Sequence, residues 1–504
     1  RGLGDVYKRQ SLYPDLIKRV EFMDEISSFQ EDVARIYHQM LLCQETEKID
    51  KKMREEIIPE MLKNVSSMRN MRFGFEENEE ENDDKNPDWA DAFEQSGLGD
   101  KLREMNELQL EGADVYMSTF AALKSYPFFR EVQNWFYPFS KQQSDVIKQL
   151  KQEGNEKNTL LDLILQSGFF SNSDKYSLFF TIRQLPKAQQ DMMLSQLGEQ
   201  QVAELSEKSN AETMKKFNER PGTVSNQYLH DLYRFFKLSV RRHEFRDIFK
   251  EKLDLHHIPA LNNVLYNEYI LFPIADFYLK KERWNEAIEV YEEMETIGAL
   301  KGRGAEYYQK LGYALQKNKK YAEAIDAYLK ADTLKPDNIW NNRHLAICYR
   351  LNRNYQAALS YYKKVEEATP ESTNVIFHIG SCLAELGQYE EAANYFFKLD
   401  FIESNCIKAW RGIGWCSFIS RKYEQAMKYY EKIIGQKPLA IDYMNAGHVA
   451  WAMGDIQKAA ALYGKSITAN GNRERFLEMF RKDEEALLKQ GIQEEDIPLM
   501  LDLL

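Results

Sequence analysis

One interval constrains this chain more than any other property. Aromatic residues at Trp284, Tyr321, Tyr355, Tyr389 and Tyr423 are each followed three residues later by alanine, at Ala287, Ala324, Ala358, Ala392 and Ala426. Four residues further on a second ring follows, at Tyr291, Tyr328, Tyr362, Phe396 and Tyr430. From Tyr321 to Tyr423 the interval is 34 residues, and a sixth unit, one residue short, carries Ile456, Ala459 and Tyr463. Steps of three and four share a helix face. A period in this range means supersecondary units stacked in a row, each burying its apolar face only against its neighbours. The sequence therefore predicts an all-α fold: an α-solenoid of helix-turn-helix units over 265–470, closed by capping helices over 471–504.

Within a unit the first helix carries one apolar stripe, for instance Tyr308, Leu311, Gly312 and Leu315, and the second carries Ala324, Tyr328 and Ala331. The small residues Gly312 and Ala324 are expected to let the two backbones approach, with the Tyr328 ring filling the space beside the next unit. Pro336, Pro370 and Pro438 come just after the second helix and stop it. A large side chain at Ala358 or Ala392 should overpack this contact.

These residues resemble the tetratricopeptide repeat, most closely at Leu311-Gly312, Ala324, Tyr328, Ala331 and Pro336, and at Trp410, Gly414, Ala426, Tyr430 and Pro438. The departures are an insertion around Gly298, Gly302 and Gly304, Ser404 in place of a proline and Ala346 in place of a glycine. The resemblance implies a right-handed superhelix whose concave face, lined by the first helices, binds an extended peptide or a helix of another protein. On those helices a second stripe is offset from the core stripe: Tyr313; then Trp340, Arg343, Ile347 and Arg350; then Phe377; then Lys408, Arg411, Trp415 and Phe418; then Met444, His448 and Trp451. Aromatic and arginine side chains dominate binding energy in interfaces, and the four cations suggest that the bound segment carries carboxylates. The same rings could instead pack on neighbouring first helices or lie under the C-terminal segment. Some chaperone-binding members of the family clamp a terminal carboxylate with Lys and Asn, but the matching places here hold Tyr313, Ile347 and Ser381, so that activity is not implied.

The acidic balance, 79 Asp and Glu against 67 Lys and Arg with a net charge of -12, argues against a nucleic-acid partner. Five cysteines, three of them (Cys348, Cys382, Cys416) one period apart, read as small buried residues rather than disulfides or metal ligands, which points weakly to a reducing, cytoplasmic setting. No apolar run is long enough to cross a bilayer. The opening Arg1-Gly-Leu-Gly, without a methionine, reads as a junction, and residues 1–10 are left aside.

The N-terminal half is expected to be irregularly helical: helices over 11–75, an acidic linker over 76–88 in which seven of the nine residues from Glu76 to Asp84 are acidic, and a further helical region over 89–264. Helical spacing from Leu16 to Met40 suggests one long helix. The seven rings between Tyr126 and Phe139 suggest a short helix buried on every side, or else a groove walled by rings. The residues from Tyr228 to Phe249 look like a worn repeat, and His256-His257 reads as an isolated surface pair. No phosphate loop, metal helix, nucleophile elbow or CxxC pair occurs, and Gly412-Ile-Gly414 lies inside a repeat helix as packing. The reading is a non-enzymatic protein-interaction scaffold without a cofactor. The alternative is an enzyme or small-ligand-binding regulator with its site in the N-terminal half or upstream.

Overall fold

A computed structural model describes residues 14–26, 28–57, 112–140, 142–150, 170–186, 189, 222–297 and 304–504, and among these the fold is entirely helical. The acidic run of 76–84 and most of the glycine-rich insertion after the first repeat lie outside the described residues. The described residues fall into two compact units, one reaching Ile274 and the other running from Ala275 to Leu504.

The first unit contains α1 (Pro14–Asp24), α2 (Phe29–Gln44), α3 (Thr46–Lys52), α4 (Met117–Ala121), α5 (Ser144–Leu150), α6 (Asn172–Gln184), α7 (Thr223–Leu238) and α8 (Pro259–Leu265). The long helix expected from Leu16 to Met40 is therefore two: it breaks between Asp24 and Phe29, where Ser28, a residue that favours turns, stands before α2. The ring-rich stretch is not a helix of three turns either. It folds as two tight 3-10 turns, Pro127–Arg130 and Val132–Trp135, separated by extended Glu131. That kink drives Phe129 and Trp135 into a core shared with Tyr176, Phe179, Phe180 and Phe235, so the rings are packing. After α7 the chain runs through short 3-10 turns, where a worn repeat would need a second helix.

Helix α9 (Glu268–Lys280) begins the array. It continues through α10 (Trp284–Ile297), α11 (Gly304–Lys317), α12 (Tyr321–Leu334), α13 (Ile339–Leu351), α14 (Tyr355–Ala368), α15 (Thr373–Glu385) and α16 (Tyr389–Ile402). Then follow α17 (Ile407–Ile419), α18 (Tyr423–Ile434), α19 (Ala440–Ala452) and α20 (Ile456–Asn470), before α21 (Arg473–Lys489) and α22 (Asp496–Asp502). Each first helix from α11 to α19 packs on its own second helix, and each from α11 to α21 packs on the second helix of the preceding unit.

The turn inside every unit has one geometry. Glu282, Lys319, Arg353, Gly387, Arg421 and Gly454 all have positive φ. The amides there reach back to the first helix in the paired pattern that closes a helix C-terminus, for example Lys319 to Gln316 and Lys320 to Leu315. That left-handed residue sets the angle at which the second helix returns.

Side-chain volume then sets the spacing. A Cβ on Gly312, Gly380, Gly414 or Gly447 would come within 2.5–2.9 Å of Tyr328, Phe396, Tyr430 or Tyr463 respectively. The glycine thus makes room for the ring sixteen residues on, more than for a backbone. In the last first-type helix, α21, Phe480 is fully buried and packs on Tyr463 and Phe476. The helix that follows α21, α22, is short and carries no ring to close on it, so a large side chain fits there. Phe476, Phe480 and Leu487 are sealed while Leu488 is 41% exposed, so α21 buries a narrow face.

Candidate partner-binding site

The second, fifth, ninth and twelfth positions of α13, α15, α17 and α19, and the tenth and thirteenth of α11, share one face, and the structure sorts them into three groups. The first group is closed off. Phe418, His448 and Trp451 are 1%, 0% and 7% exposed, and Met444 is fully buried. His448 shares a hydrogen bond between its Nδ1 and the Tyr463 hydroxyl at 2.8 Å, with its Nε2 3.4 Å from Asp483, and its ring meets Phe480 at 5.4 Å. Trp451 also packs on Phe480. Helix α21 covers His448 and Trp451, and Phe418 packs on His448, so these residues stabilise the end of the stack rather than offer a surface. Trp340 is likewise 4% exposed, held against His344, Tyr313 and Tyr328.

The second group is committed elsewhere. Arg411 binds Asp442 with two hydrogen bonds of 2.6 and 2.7 Å, and Asp442, fully buried, also accepts from the Leu439 amide at the start of α19. This pair ties the fifth unit to the sixth. Its donors face inward, which removes Arg411 from the candidate contacts.

The third group remains open. Tyr313, Arg343, Ile347, Arg350, Phe377 and Trp415 are half-buried, and Lys408 is exposed. Their apolar bodies rest on the core, Phe377 on Phe396 and Trp415 on Phe418, while one side of each faces outward.

Behind this face runs a row of second-helix rings, each held between two first helices. His344 lies on Tyr328 at 5.7 Å and His378 stacks on Tyr362 at 5.4 Å and 20°. Gly412 takes the same place against Phe396. The ring hydroxyls are matched from the place twelve residues before each ring: Gln316 accepts from Tyr328 at 2.9 Å, Arg350 lies beside Tyr362, and Ala384 stands where Phe396 has no hydroxyl to satisfy. Burial, with Arg343 and Lys317 nearby, lowers His344 to about 3; burial, with Arg350 and Lys408 nearby, lowers His378 to about 4. Both imidazoles are therefore neutral near pH 7.

The first unit holds a constellation that the sequence did not reveal. Lys124 donates to Asp174 at 2.8 Å and to Ser173 at 2.5 Å, and Arg234 binds Asp114, Asp174 and Ser171, with Asp231 accepting from the Ser173 amide. Burial pushes the Asp231 carboxyl up and the Lys124 ammonium down. Burial opposes the Arg234 charge, yet Asp114 and Asp174 hold it above its usual range. All five charged side chains are sealed, and Lys124 lies over the rings of Phe129 and Trp135, so a Ser-Lys pair that could suggest a nucleophile has no path to a substrate. The expected surface pair His256-His257 is also partly inside, since His256 is 2% exposed and shares a 2.9 Å hydrogen bond with the Tyr37 hydroxyl. The five cysteines are free and buried.

Family models of the tetratricopeptide repeat match residues 305–338, 345–400 and 443–473, all inside the array. The chain carries tetratricopeptide repeats. Solved structures similar to it include a MamA protein, 19% identical, covering 34% of this chain and 96% of that one at a TM-score of 0.32. Another is a tetratricopeptide repeat protein from Parabacteroides merdae, 20% identical, covering 46% of this chain and 96% of that one at 0.35. A third is YrrB, described as a TPR protein with an unusual peptide-binding site, 20% identical, covering 39% of this chain and 97% of that one at 0.32. No curated protein matches significantly. Tetratricopeptide repeats form a protein-interaction fold, and the array over these residues supports a protein-interaction scaffold in general terms. Among the described residues no helix is long and apolar enough to cross a membrane.

Proposed function

We propose that the protein is an adaptor that holds a peptide or helix of another protein on the concave face formed by its first helices, with Tyr313, Arg343, Arg350, Phe377, Lys408 and Trp415 in contact. The observation that carries this reading is the third group: on one face of the first helices Tyr313, Phe377 and Trp415 stand half-buried, with Phe377 and Trp415 resting on core rings. Anchors of this kind bind with little loss of side-chain freedom. A photo-cross-linking benzoylphenylalanine at Phe377 should capture the partner, while the same residue at exposed Asn394 on α16 should not. Capture from Asn394 alone, or equal capture from both, rejects this face.

A further inference from the structure

The face of the first helices is open at Trp415 and shut at α19, and the two parts are continuous. Trp415 packs on Phe418 at 5.6 Å and Phe418 lies on His448 at 6.3 Å, so the half-buried ring of one unit leads directly to the sealed residues of the next. What shuts the second part is α21. Phe480 meets His448, Tyr463 and Trp451 at 5.4, 5.6 and 6.5 Å, and Phe476 meets Tyr463 at 5.7 Å. Asp483 stands 3.4 Å from His448 Nε2, a buried nitrogen with no hydrogen-bond partner among the described residues. The C-terminal end of α21 is tied to the turn of the fifth unit, where Arg421 donates to the Lys489 carbonyl at 2.9 Å and Tyr423 to Gln490 Oε1 at 3.0 Å. This helix differs from those it continues. α15, α17 and α19 carry one, two and one charged side chains, whereas ten of the seventeen residues of α21 are charged, five of each sign, and only Phe476, Phe480 and Leu487 are buried. Each of the earlier helices is clamped between two second helices, while α21 rests on α19 and α20. It joins α20 through Gly471, at a left-handed φ of 68°, and Asn472.

We propose that α21 is an exchangeable cover: it closes the last unit's share of the first-helix face, and an amphipathic helix of the partner with the same pattern takes its seat. The pattern is an aromatic pair four residues apart, a carboxylate three residues on and a leucine four beyond that, as in Phe476, Phe480, Asp483 and Leu487. The inference rests on the concave-face reading and extends that face by one unit. Steps of four, three and four keep these groups on one side of a helix. Tyr463 and Trp451 receive the rings. Assigning the Tyr463 hydroxyl as donor to His448 Nδ1 at 2.8 Å places the imidazole proton on Nε2, facing the carboxylate. The ten charges of α21 keep it soluble once released, and Gly471 turns without steric cost. A tethered helix competes at an effective concentration on the order of millimolar. The seat therefore passes to a segment that also gains Trp415 and the open face beyond it, and a segment that matches the seat alone binds weakly.

The probe is a fluorescent peptide of residues 473–490, titrated into the full chain and followed by anisotropy, with hydrogen exchange of α21 read in an isotope-labelled chain. Phe480→Ala in the chain weakens the tethered helix and should tighten binding of the unaltered peptide by at least about tenfold. The peptide that itself carries Phe480→Ala should bind neither chain. Bound peptide should speed exchange of the α21 amides and leave those of α15 unchanged. Tyr423→Phe, which removes only the bond to Gln490, guards against a disturbed stack end and should tighten peptide binding by about fivefold. Equal peptide binding by the parent chain and both variants, binding that leaves α21 exchange unaltered, or no binding to any of the three overturns the exchange. Capture from Phe377 judges the wider reading separately. Capture there with an α21 that never yields leaves the concave face standing without the exchange, whereas no capture removes the concave face and the exchange with it.

Discussion

The same substitution, glycine to alanine, should act in opposite directions at two helical positions of the last repeat. A Cβ on Gly447 in α19 would lie 2.5 Å from Cε1 and 2.6 Å from Cδ1 of Tyr463, against about 3.5–4.0 Å for a relaxed carbon contact. The ring would have to retreat by about 1 Å. It has no room to do so: its hydroxyl is bonded to His448 at 2.8 Å, and Phe476 and Phe480 stand at 5.7 and 5.6 Å. Overpacking of this kind costs about 1–3 kcal/mol, offset by about 1 kcal/mol of helix propensity. Gly447→Ala should therefore destabilise by up to about 2 kcal/mol. At Gly464, inside α20, nothing stands within 4 Å of the place a methyl would occupy, so Gly464→Ala should stabilise by about 0.5–1 kcal/mol. Urea titration followed by tryptophan fluorescence reports on this end of the stack, since Trp451 packs on Tyr463 at 6.4 Å. A midpoint for Gly447→Ala at or above that of the parent would refute the packing argument, as would a loss for Gly464→Ala.

Three further outcomes follow from other parts of the molecule. Arg353 has a φ of 61° in the turn of its unit, so Arg353→Gly should raise the denaturation midpoint by about 0.5 kcal/mol, the strain relieved exceeding the added chain entropy; a lower midpoint would contradict the shared turn geometry. Arg234→Met leaves Asp114 and Asp174 buried without this counter-charge and should cost about 3–5 kcal/mol in the first unit, read by thermal denaturation, whereas a loss under about 1 kcal/mol would show water reaching the network. His344 and His378 have folded values of about 3 and about 4, below about 6.5 for the unfolded chain. The unfolded state therefore binds more protons between those values, and the stabilisation they give is complete above about pH 6.5 and is lost as pH falls toward 4. His378→Asn should flatten the pH dependence of the melting temperature between about pH 4 and 6.5, and an unchanged slope would place that imidazole in contact with water.

How much could be read from the sequence follows the range of the interactions. The 34-residue interval exposed the helix pairs, and Gly312, Gly414 and the alanines marked where the rings close, because each of these contacts lies within one unit or between neighbours. The stripe on the first helices was legible too, but not its fate. Trp415 and Trp451 stand in similar sequence surroundings, yet Trp451 meets Phe480 of α21, which periodicity cannot foretell once the pattern has stopped. Arg411 looked like a free cation because Asp442, thirty-one residues away, reads as an ordinary surface acid. In the first unit the partners of Arg234 are sixty and 120 residues distant, and no local pattern connects them. Of the rings of 126–139, Phe129 and Trp135 lie in a core as expected while Tyr137 is exposed, and the backbone takes another form than a helix because the packing of Phe129 and Trp135 decides it there.

The central claim is that the first helices, not the outer surface, hold the partner. Calorimetric titration of the segment recovered by cross-linking from Phe377 into the full chain, into Trp415→Ala and into Phe401→Ala tests it directly, because Trp415 lies on the first-helix face while Phe401, at the end of α16, is 89% exposed. The account predicts at least about a tenfold loss of affinity for Trp415→Ala and none for Phe401→Ala. Full affinity in Trp415→Ala with a loss in Phe401→Ala would contradict it.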